Sequence, residues 1–258
     1  MFAKKSLGQN FLHSKKILRE IVRAGNVVPG ETVLEAGPGT GNLTEALLTA
    51  GARVMAVEKD HRLIPVFQKK FSSEIASGKL QIVHADILDF SPSLYKLQTN
   101  RYKLIANIPY YITGGFLRKF LSSENQPSMM ALMLQKEVAE RIVAKNGKES
   151  LLSISVKAFG SPRYIKTVKA GNFFPAPAVD SAILAVENIS KKHFAHCSEE
   201  NFFEIVKAGF AHKRKIISNN LKPVFGNKTE EKIIKCKIIP TSRAEGLTLE
   251  KWLCLATD

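Results

Sequence analysis

Asn107-Ile108-Pro109-Tyr110 is the stretch of this chain whose residue types and spacing can do chemistry. It suits a flat aromatic base that carries an exocyclic amine. Such an amine is a poor nucleophile, because its lone pair is delocalised into the ring. Two acceptors can take its two N–H bonds and draw the nitrogen towards a tetrahedral shape, which frees the lone pair. The side-chain carbonyl of Asn107 can be one acceptor and the backbone carbonyl of Ile108 the other. Pro109 has no N–H to compete, and its ring stiffens the turn. Tyr110 offers a π-face on which a base can stack. Asn-x-Pro-Tyr also ends a strand in an ordinary turn, so the catalytic reading needs an electrophile held beside it.

A site for that electrophile reads from residue 32 onward. Thr32 to Ala36 is a buried strand, Gly37-Pro38-Gly39-Thr40-Gly41 a glycine loop, and Asn42 to Ala50 a helix. Strand, loop and helix together open a Rossmann-like unit. Asn42 breaks the dinucleotide pattern Gly-x-Gly-x-x-Gly. Glu35, just before the loop, is expected to oppose a pyrophosphate and to suit a cationic ligand. S-adenosylmethionine has a sulfonium, an ammonium and no phosphate, so it is the expected cofactor, with the glycines allowing close backbone approach. A glycine-rich turn without a ligand is the alternative.

The elements that follow bring acids to the same rim. The strand Arg53 to Val57 ends at Glu58, 21 residues after Gly37, near the ~20 expected for an acid that accepts bonds from ribose hydroxyls. The strand Leu80 to Ala85 ends at Asp86, which can accept from the adenine amino group of the cofactor. The strand Tyr102 to Ala106 delivers Asn107. All three sit just past carboxyl ends of strands, where open α/β sheets bind ligands.

The remaining pattern supplies a frame. A helix capped by Ser14 runs to Ala24, and another from Arg62 to Phe71 is interrupted by Pro65. Gly114 to Leu121 and Gln135 to Ala144 read as helices, Met129 to Leu134 as a strand, and Leu151 to Phe159 as apolar helix. Lys145-Asn146-Gly147-Lys148 is a solvated turn or an RNA contact. Tyr164 to Val168 and Ala182 to Val186 are further strands. Between them, Phe173-Phe174-Pro175-Ala176-Pro177 places Phe173 as a second wall of the base pocket or as an aromatic plug of the core. Past residue 188 the sheet signal stops. Helices are expected at 199–211, 213–221, 229–235 and 248–255, giving a domain at 1–188 and a small all-helical domain at 189–258. Lys213-Arg214-Lys215 is a solvated face or a phosphate contact.

Composition bounds the partners. A chain of 258 residues with 45% hydrophobic and 24% charged content is an ordinary globular protein. Its net charge of +15 is not ordinary and points to a polyanion. The charge is spread out: residues 1–19 hold five basic and no acidic residues, and residues 191–258 hold 13 basic and 8 acidic. Cys197, Cys236 and Cys254 show neither metal-ligand spacing nor a disulfide framework, so a reducing compartment and no metal site are expected. No run reaches the ~18 apolar residues of a membrane span.

Taken together, these motifs resemble the small-subunit (16S) ribosomal RNA adenine dimethyltransferase family over nearly the whole chain. The resemblance rests on Gly8-Gln9-Asn10-Phe11-Leu12, Glu35 to Gly41, Asn107 to Tyr110, Phe173 to Ser181, and Phe210 to Lys215 with Asn219-Asn220-Leu221. Ala178, Lys213 and the loop after Lys148 depart from the family pattern. The resemblance implies an α/β, Rossmann-like S-adenosylmethionine-dependent methyltransferase. Its cofactor set would be Gln9, Asn10, Leu12, Gly37, Gly39, Glu58, Asp86 and Asn107, and its catalytic set Asn107, Ile108, Pro109, Tyr110 and Phe173. It implies a cytoplasmic, monomeric bacterial-type enzyme that dimethylates two adjacent adenosines near the 3′ end of small-subunit rRNA in the immature 30S subunit. Because residues 8–12 belong to the site, cleavage of the N-terminus as a transit peptide is not expected. Two rivals share parts of the pattern: a large-subunit rRNA resistance methylase, and a methylase-like RNA-binding assembly or transcription factor without chemistry.

Overall fold

The structure, a computed structural model, describes residue 4 and residues 8–257. Lys5, from the basic N-terminal segment, lies outside the described residues.

Among the described residues, nine strands form two sheets: β1 (Phe11–Leu12), β2 (Thr32–Ala36), β3 (Arg53–Glu58), β4 (Leu80–His84), β5 (Tyr102–Asn107), β6 (Met129–Gln135), β7 (Ser161–Val168), β8 (Phe173–Phe174) and β9 (Ser181–Glu187). The larger sheet has the order β4-β3-β2-β5-β6-β9-β7. Strands β4 to β6 in that order run parallel, and β9 pairs antiparallel with β6. The central strands are near-continuous apolar runs, as strands covered on both faces must be. Leu34, Leu104, Ile105, Met130 and Leu132 are fully buried. Strand order reverses between β2 and β5, which puts a crevice at their carboxyl ends.

Helix Lys15–Ala24 buries Ile17, Leu18, Ile21 and Val22, a single face at helical spacing. Ser14 precedes it with extended backbone, but its side chain makes no cap bond. Pro65 does not interrupt the third helix. The helix spans Ile64–Lys70 and holds Pro65 in its first turn, where a missing N–H is no loss.

The chain divides into two compact units, residues 1–139 with 162–189, and residues 140–161 with 190–258. The second unit thus contains a segment that sequence periodicity leaves with the sheet. The reason is aromatic packing: Phe159 lies 5.1 Å from Phe194 and 5.9 Å from Phe203, ring centre to ring centre. Local apolarity marks 151–159 as buried but cannot say in which core.

Within the second unit the helices are Leu151–Lys157, Glu199–Gly209, Ile217–Phe225, Thr229–Lys235 and Leu249–Ala256. The helix expected at 213–221 begins only at Ile217. Asn220 Nδ2 donates to the carbonyls of Gly209 (2.7 Å) and His212 (3.1 Å). That clamp holds 210–216 as a turn and leaves Lys213, Arg214 and Lys215 exposed. The cysteine expectation is also corrected. Cys236 and Cys254 form a disulfide across 18 residues, with Cα atoms 5.7 Å apart, and Cys197 is free. Spacing alone gave no sign of it, because the pairing depends on how the chain between the two cysteines folds back. The inference of a reducing compartment falls with that expectation.

Candidate active site

Four loops leave the carboxyl rim of the large sheet and line a cleft that is open to solvent. Its walls include Gln9, Asn10, Gly37, Gly39, Glu58, Asp86, Asn107, Ile108, Pro109 and Tyr110. The glycine loop and the Asn-Ile-Pro-Tyr turn therefore face each other. In-register pairing makes this so: Ala36 lies opposite both Val57 and Ala106, one residue short of Gly37, Glu58 and Asn107.

Asn107 is held in a defined orientation. Its Nδ2 donates to the backbone carbonyl of Asn10 at 2.9 Å. A carbonyl can only accept, so the amide nitrogen must face it, and Oδ1 is left as an acceptor in the cleft. Pro109 has φ −57° and ψ 134°, and the chain turns into a short 3₁₀ segment at Tyr110–Ile112. The Tyr110 hydroxyl pairs with Ser181 Oγ at 2.6 Å, which anchors the far end of its ring. Burial raises the Tyr110 pKa, against the opposing bond from Ser181, so the phenol is neutral.

The N-terminal segment closes one side of the cleft. Phe11 and Leu12 of β1 pair with Phe174 and Phe173 of β8. Asn42 Nδ2 donates to the carbonyl of Leu12 at 2.9 Å. Gly8, at φ +60°, lies where a Cβ would stand 3.2 Å from the Tyr111 ring. Gly39, at φ +59°, lies where a Cβ would stand 2.8 Å from the Phe11 ring. Only glycine permits both the left-handed backbone and that approach.

Three sequence expectations are corrected here. Glu35 does not face the cleft. It is fully buried, and its Oε2 accepts from Thr44 Oγ1 at 2.6 Å. Burial pushes its carboxyl up to about 8, partly offset by Thr44, with Glu58 adding a further push. Phe173 is not a wall of the cleft. It is 3% exposed and belongs to the core with Leu12, Phe67 and Phe71, so the plug reading describes it, while its neighbour Phe174 is 71% exposed. Leu12 is buried as well and reaches the site through its strand rather than its side chain.

Gln9 lines the cleft with both ends of its amide engaged: Oε1 accepts from the Lys4 N–H (2.7 Å) and Nε2 donates to Asp60 (3.0 Å). Asp60 also takes three bonds from Arg62, two from the guanidinium and one from the backbone N–H. The Arg62 bonds hold the Asp60 carboxyl far below the usual range, against its burial. Sequence reasoning missed Asp60, Lys59, Tyr111 and Ser181. Adjacency to Glu58 and Tyr110 was the only available signal for the first three, and for Ser181 it was its place at the end of the Phe173 to Ser181 segment.

A family model described as "Ribosomal RNA adenine dimethylase" matches residues 2–257. The chain belongs to the ribosomal RNA adenine dimethylase family. Curated relatives named "Ribosomal RNA small subunit methyltransferase A" include one from Dehalococcoides mccartyi, 41% identical over 98% of this chain and 88% of its own. Another, from Enterococcus faecalis, is 37% identical over 98% and 89%. A third, from Fusobacterium nucleatum, is 36% identical over 97% and 95%. A crystal structure of a dimethyladenosine transferase from Plasmodium falciparum aligns at TM-score 0.77 and 25% identity, covering 95% of each chain. The 23S rRNA methyltransferase ErmE shares the fold, at TM-score 0.75 and 24% identity, over 95% of this chain and 98% of its own. No helix among the described residues is long and apolar enough to cross a membrane.

A ribosomal RNA adenine dimethylase needs a pocket for a sulfonium donor, and the cleft's chemistry fits one. Glu58 Oε2 accepts from the Gly39 N–H at 3.1 Å and Oε1 from the Asp60 N–H at 2.8 Å. The loop N–H that could have cradled a phosphate is thereby taken, and a carboxylate sits beneath the glycine loop. Glu58, not Glu35, is what makes the loop unsuited to a pyrophosphate. Gly37 is exposed to the cleft with open space where a Cβ would be. Asp86 Oδ1 accepts from the Leu88 N–H at 2.9 Å. Its burial acts to raise its pKa, but Lys59, the Leu88 N–H and Lys119 prevail, so it is ionised.

Proposed function

We propose that this adenine dimethylase uses S-adenosylmethionine to dimethylate N6 of two adjacent adenosines near the 3′ end of small-subunit rRNA. The observation that carries the reading is the Asn107–Asn10 bond. It turns an otherwise ambiguous side-chain amide into a fixed acceptor within the cleft that also holds Gly37, Glu58 and Asp86. The names of the relatives supply the small-subunit target.

S-adenosylmethionine supplies an electrophilic methyl on a sulfonium. Everything else falls to the chain. Glu58 retains lone pairs for ribose hydroxyls, and Asp86 Oδ2 faces the adenine end of the donor site. Gly37 and Gly39 allow close backbone approach, and Gln9, Asn10 and Leu12 fix the N-terminal wall. On the acceptor side the target base leaves its stack and lies on Tyr110. Asn107 Oδ1 and the Ile108 carbonyl accept the two N–H bonds of its amine and aim the freed lone pair. No side chain among Asn107, Ile108 and Pro109 titrates, and Tyr110 is kept neutral. Catalysis is therefore positioning, and the product amine sheds its proton to solvent. Phe173 acts indirectly, by holding β1 through the Leu12–Phe173 pair.

The immature 30S subunit in the cytoplasm is the substrate in this reading, and the enzyme works as a monomer. The test is incubation of the purified chain with labelled donor and, in parallel, unmethylated small subunits and unmethylated large subunits, followed by nucleoside analysis. Label recovered as N6,N6-dimethyladenosine in small-subunit rRNA is expected. Label confined to large-subunit rRNA would replace the reading with a resistance methylase. Failure to bind the donor in calorimetry would leave an assembly factor without chemistry.

A further inference from the structure

Lys59 lines the same cleft as Glu58 and Asp86. It immediately follows Glu58 at the carboxyl end of β3, and its Nζ lies 2.6 Å from Asp86 Oδ2. The pair is accessible, at 55% side-chain exposure for Lys59 and 25% for Asp86. Each oxygen of Asp86 is engaged once, Oδ1 by the Leu88 N–H and Oδ2 by Lys59, and each keeps a second lone pair. Lys119 adds a second positive charge near Asp86, while Tyr111 and Asp89 act on Lys59.

This arrangement conflicts with the ligand assigned above. A sulfonium donor carries one net positive charge at neutral pH. The thioether product left after transfer, S-adenosylhomocysteine, carries none. An ammonium in the wall of the cleft repels the donor and leaves the product nearly untouched. It also shares the oxygen of Asp86 that the adenine amine of either ligand would use.

The geometry points to Lys59 as a specificity-determining residue that weakens donor binding relative to product, by like-charge repulsion and by competing for Asp86. The inference rests on the donor pocket proposed above, with Asp86 as its adenine acceptor. Lys59 can shift on Asp86 as a ligand enters, because its stem is exposed and flexible. Once displaced, the ammonium remains close to the cleft mouth, where repulsion falls on the cationic ligand alone.

Calorimetric titration of the full chain with S-adenosylmethionine and with S-adenosylhomocysteine tests this, using Lys59→Met and Asp86→Asn. Methionine keeps the length of the stem and removes the charge. Lys59→Met should tighten the donor about three- to tenfold, as expected for one unit charge removed near a partly solvated site. The product should tighten less, so the donor-to-product affinity ratio moves towards the donor. Asp86→Asn should loosen both ligands. An unchanged ratio in Lys59→Met, or a donor bound more weakly, overturns the inference. If Asp86→Asn loosens neither ligand, the adenine-acceptor assignment fails instead, and a shifted ratio in Lys59→Met still supports the repulsion. Unaltered thermal unfolding of both variants will show that the binding changes are local.

Discussion

At the residue scale, the site depends on side chains whose partners fix their chemical state. Asn107 is the plainest case. Asn107→Ala removes the acceptor while leaving Tyr110 and the backbone of Ile108. The methyl-transfer step should fall about a hundredfold or more, as when one preorganised polar group is lost from a catalytic site. RNA affinity should stay within about threefold, because phosphates and stacking supply most of it. Single-turnover rates and filter binding measure the two separately. Glu35 gives a prediction of a different kind. Among the described residues its Oε1 is buried without a partner, and its carboxyl is neutral up to about pH 8. Its folded pKa lies above the unfolded value of 4.5. Its contribution to stability is therefore full below about 4.5, declines as pH rises, and is gone above about 8. Glu58 shifts in the same direction through burial, so its contribution also declines as pH rises. Glu35→Gln keeps a neutral group against Thr44. Urea unfolding at pH 5 and pH 8 should show a smaller loss in the variant. An equal loss in both proteins would mean Glu35 does not bind the proton.

At the scale of elements, the cleft exists because two short strands meet. β1 and β8 are 162 residues apart in sequence, counted from Phe11 to Phe173, yet pair Leu12 with Phe173. Their ladder brings the N-terminal segment against the glycine loop and the Asn107 turn. Gly39 is the tightest point of that contact. Gly39→Ala combines a strained backbone with a Cβ pressed onto the Phe11 ring. It should cost about 1–2 kcal/mol in folding stability for the backbone alone, read by urea unfolding. Donor affinity should fall as well, because the Glu58–Gly39 bond and the Phe11 wall shift together. Gly114→Ala is the control: no atom lies within 4 Å of a Cβ there, and φ is ordinary. If Gly39→Ala matched that control in both stability and donor affinity, the contact would have no role.

At the scale of the whole molecule, charge is the dominant property. The excess of +15 is carried by surface groups such as Lys213, Arg214 and Lys215, held out of a helix by the Asn220 clamp. If about four of these cations meet phosphates, affinity for rRNA should fall about a hundredfold between roughly 50 and 200 mM salt. Donor affinity, set inside the cleft, should change far less. Comparable salt slopes for RNA and donor would show that the surface charge does not bind the polyanion. Replacing all three residues with glutamine should lower the RNA slope without changing the affinity for the methyl donor.

The sequence by itself determined the parallel core strands, the glycine loop, and the placement of Glu58, Asp86 and Asn107 at strand ends. These are local: apolar runs, glycines and a period-2 register are set by nearby residues, and the parallel connection then forces the strand ends to one rim. Tertiary structure alone decided which way each side chain faces and what it meets. Glu35 turns to Thr44 and Phe173 into the core because packing and partners, not position in the chain, choose between the two faces of a strand. It also decided that residues 140–161 join the second unit, that Cys236 meets Cys254, and that Lys59 lies on Asp86. Each of these depends on contacts between segments far apart in sequence, which no local pattern encodes.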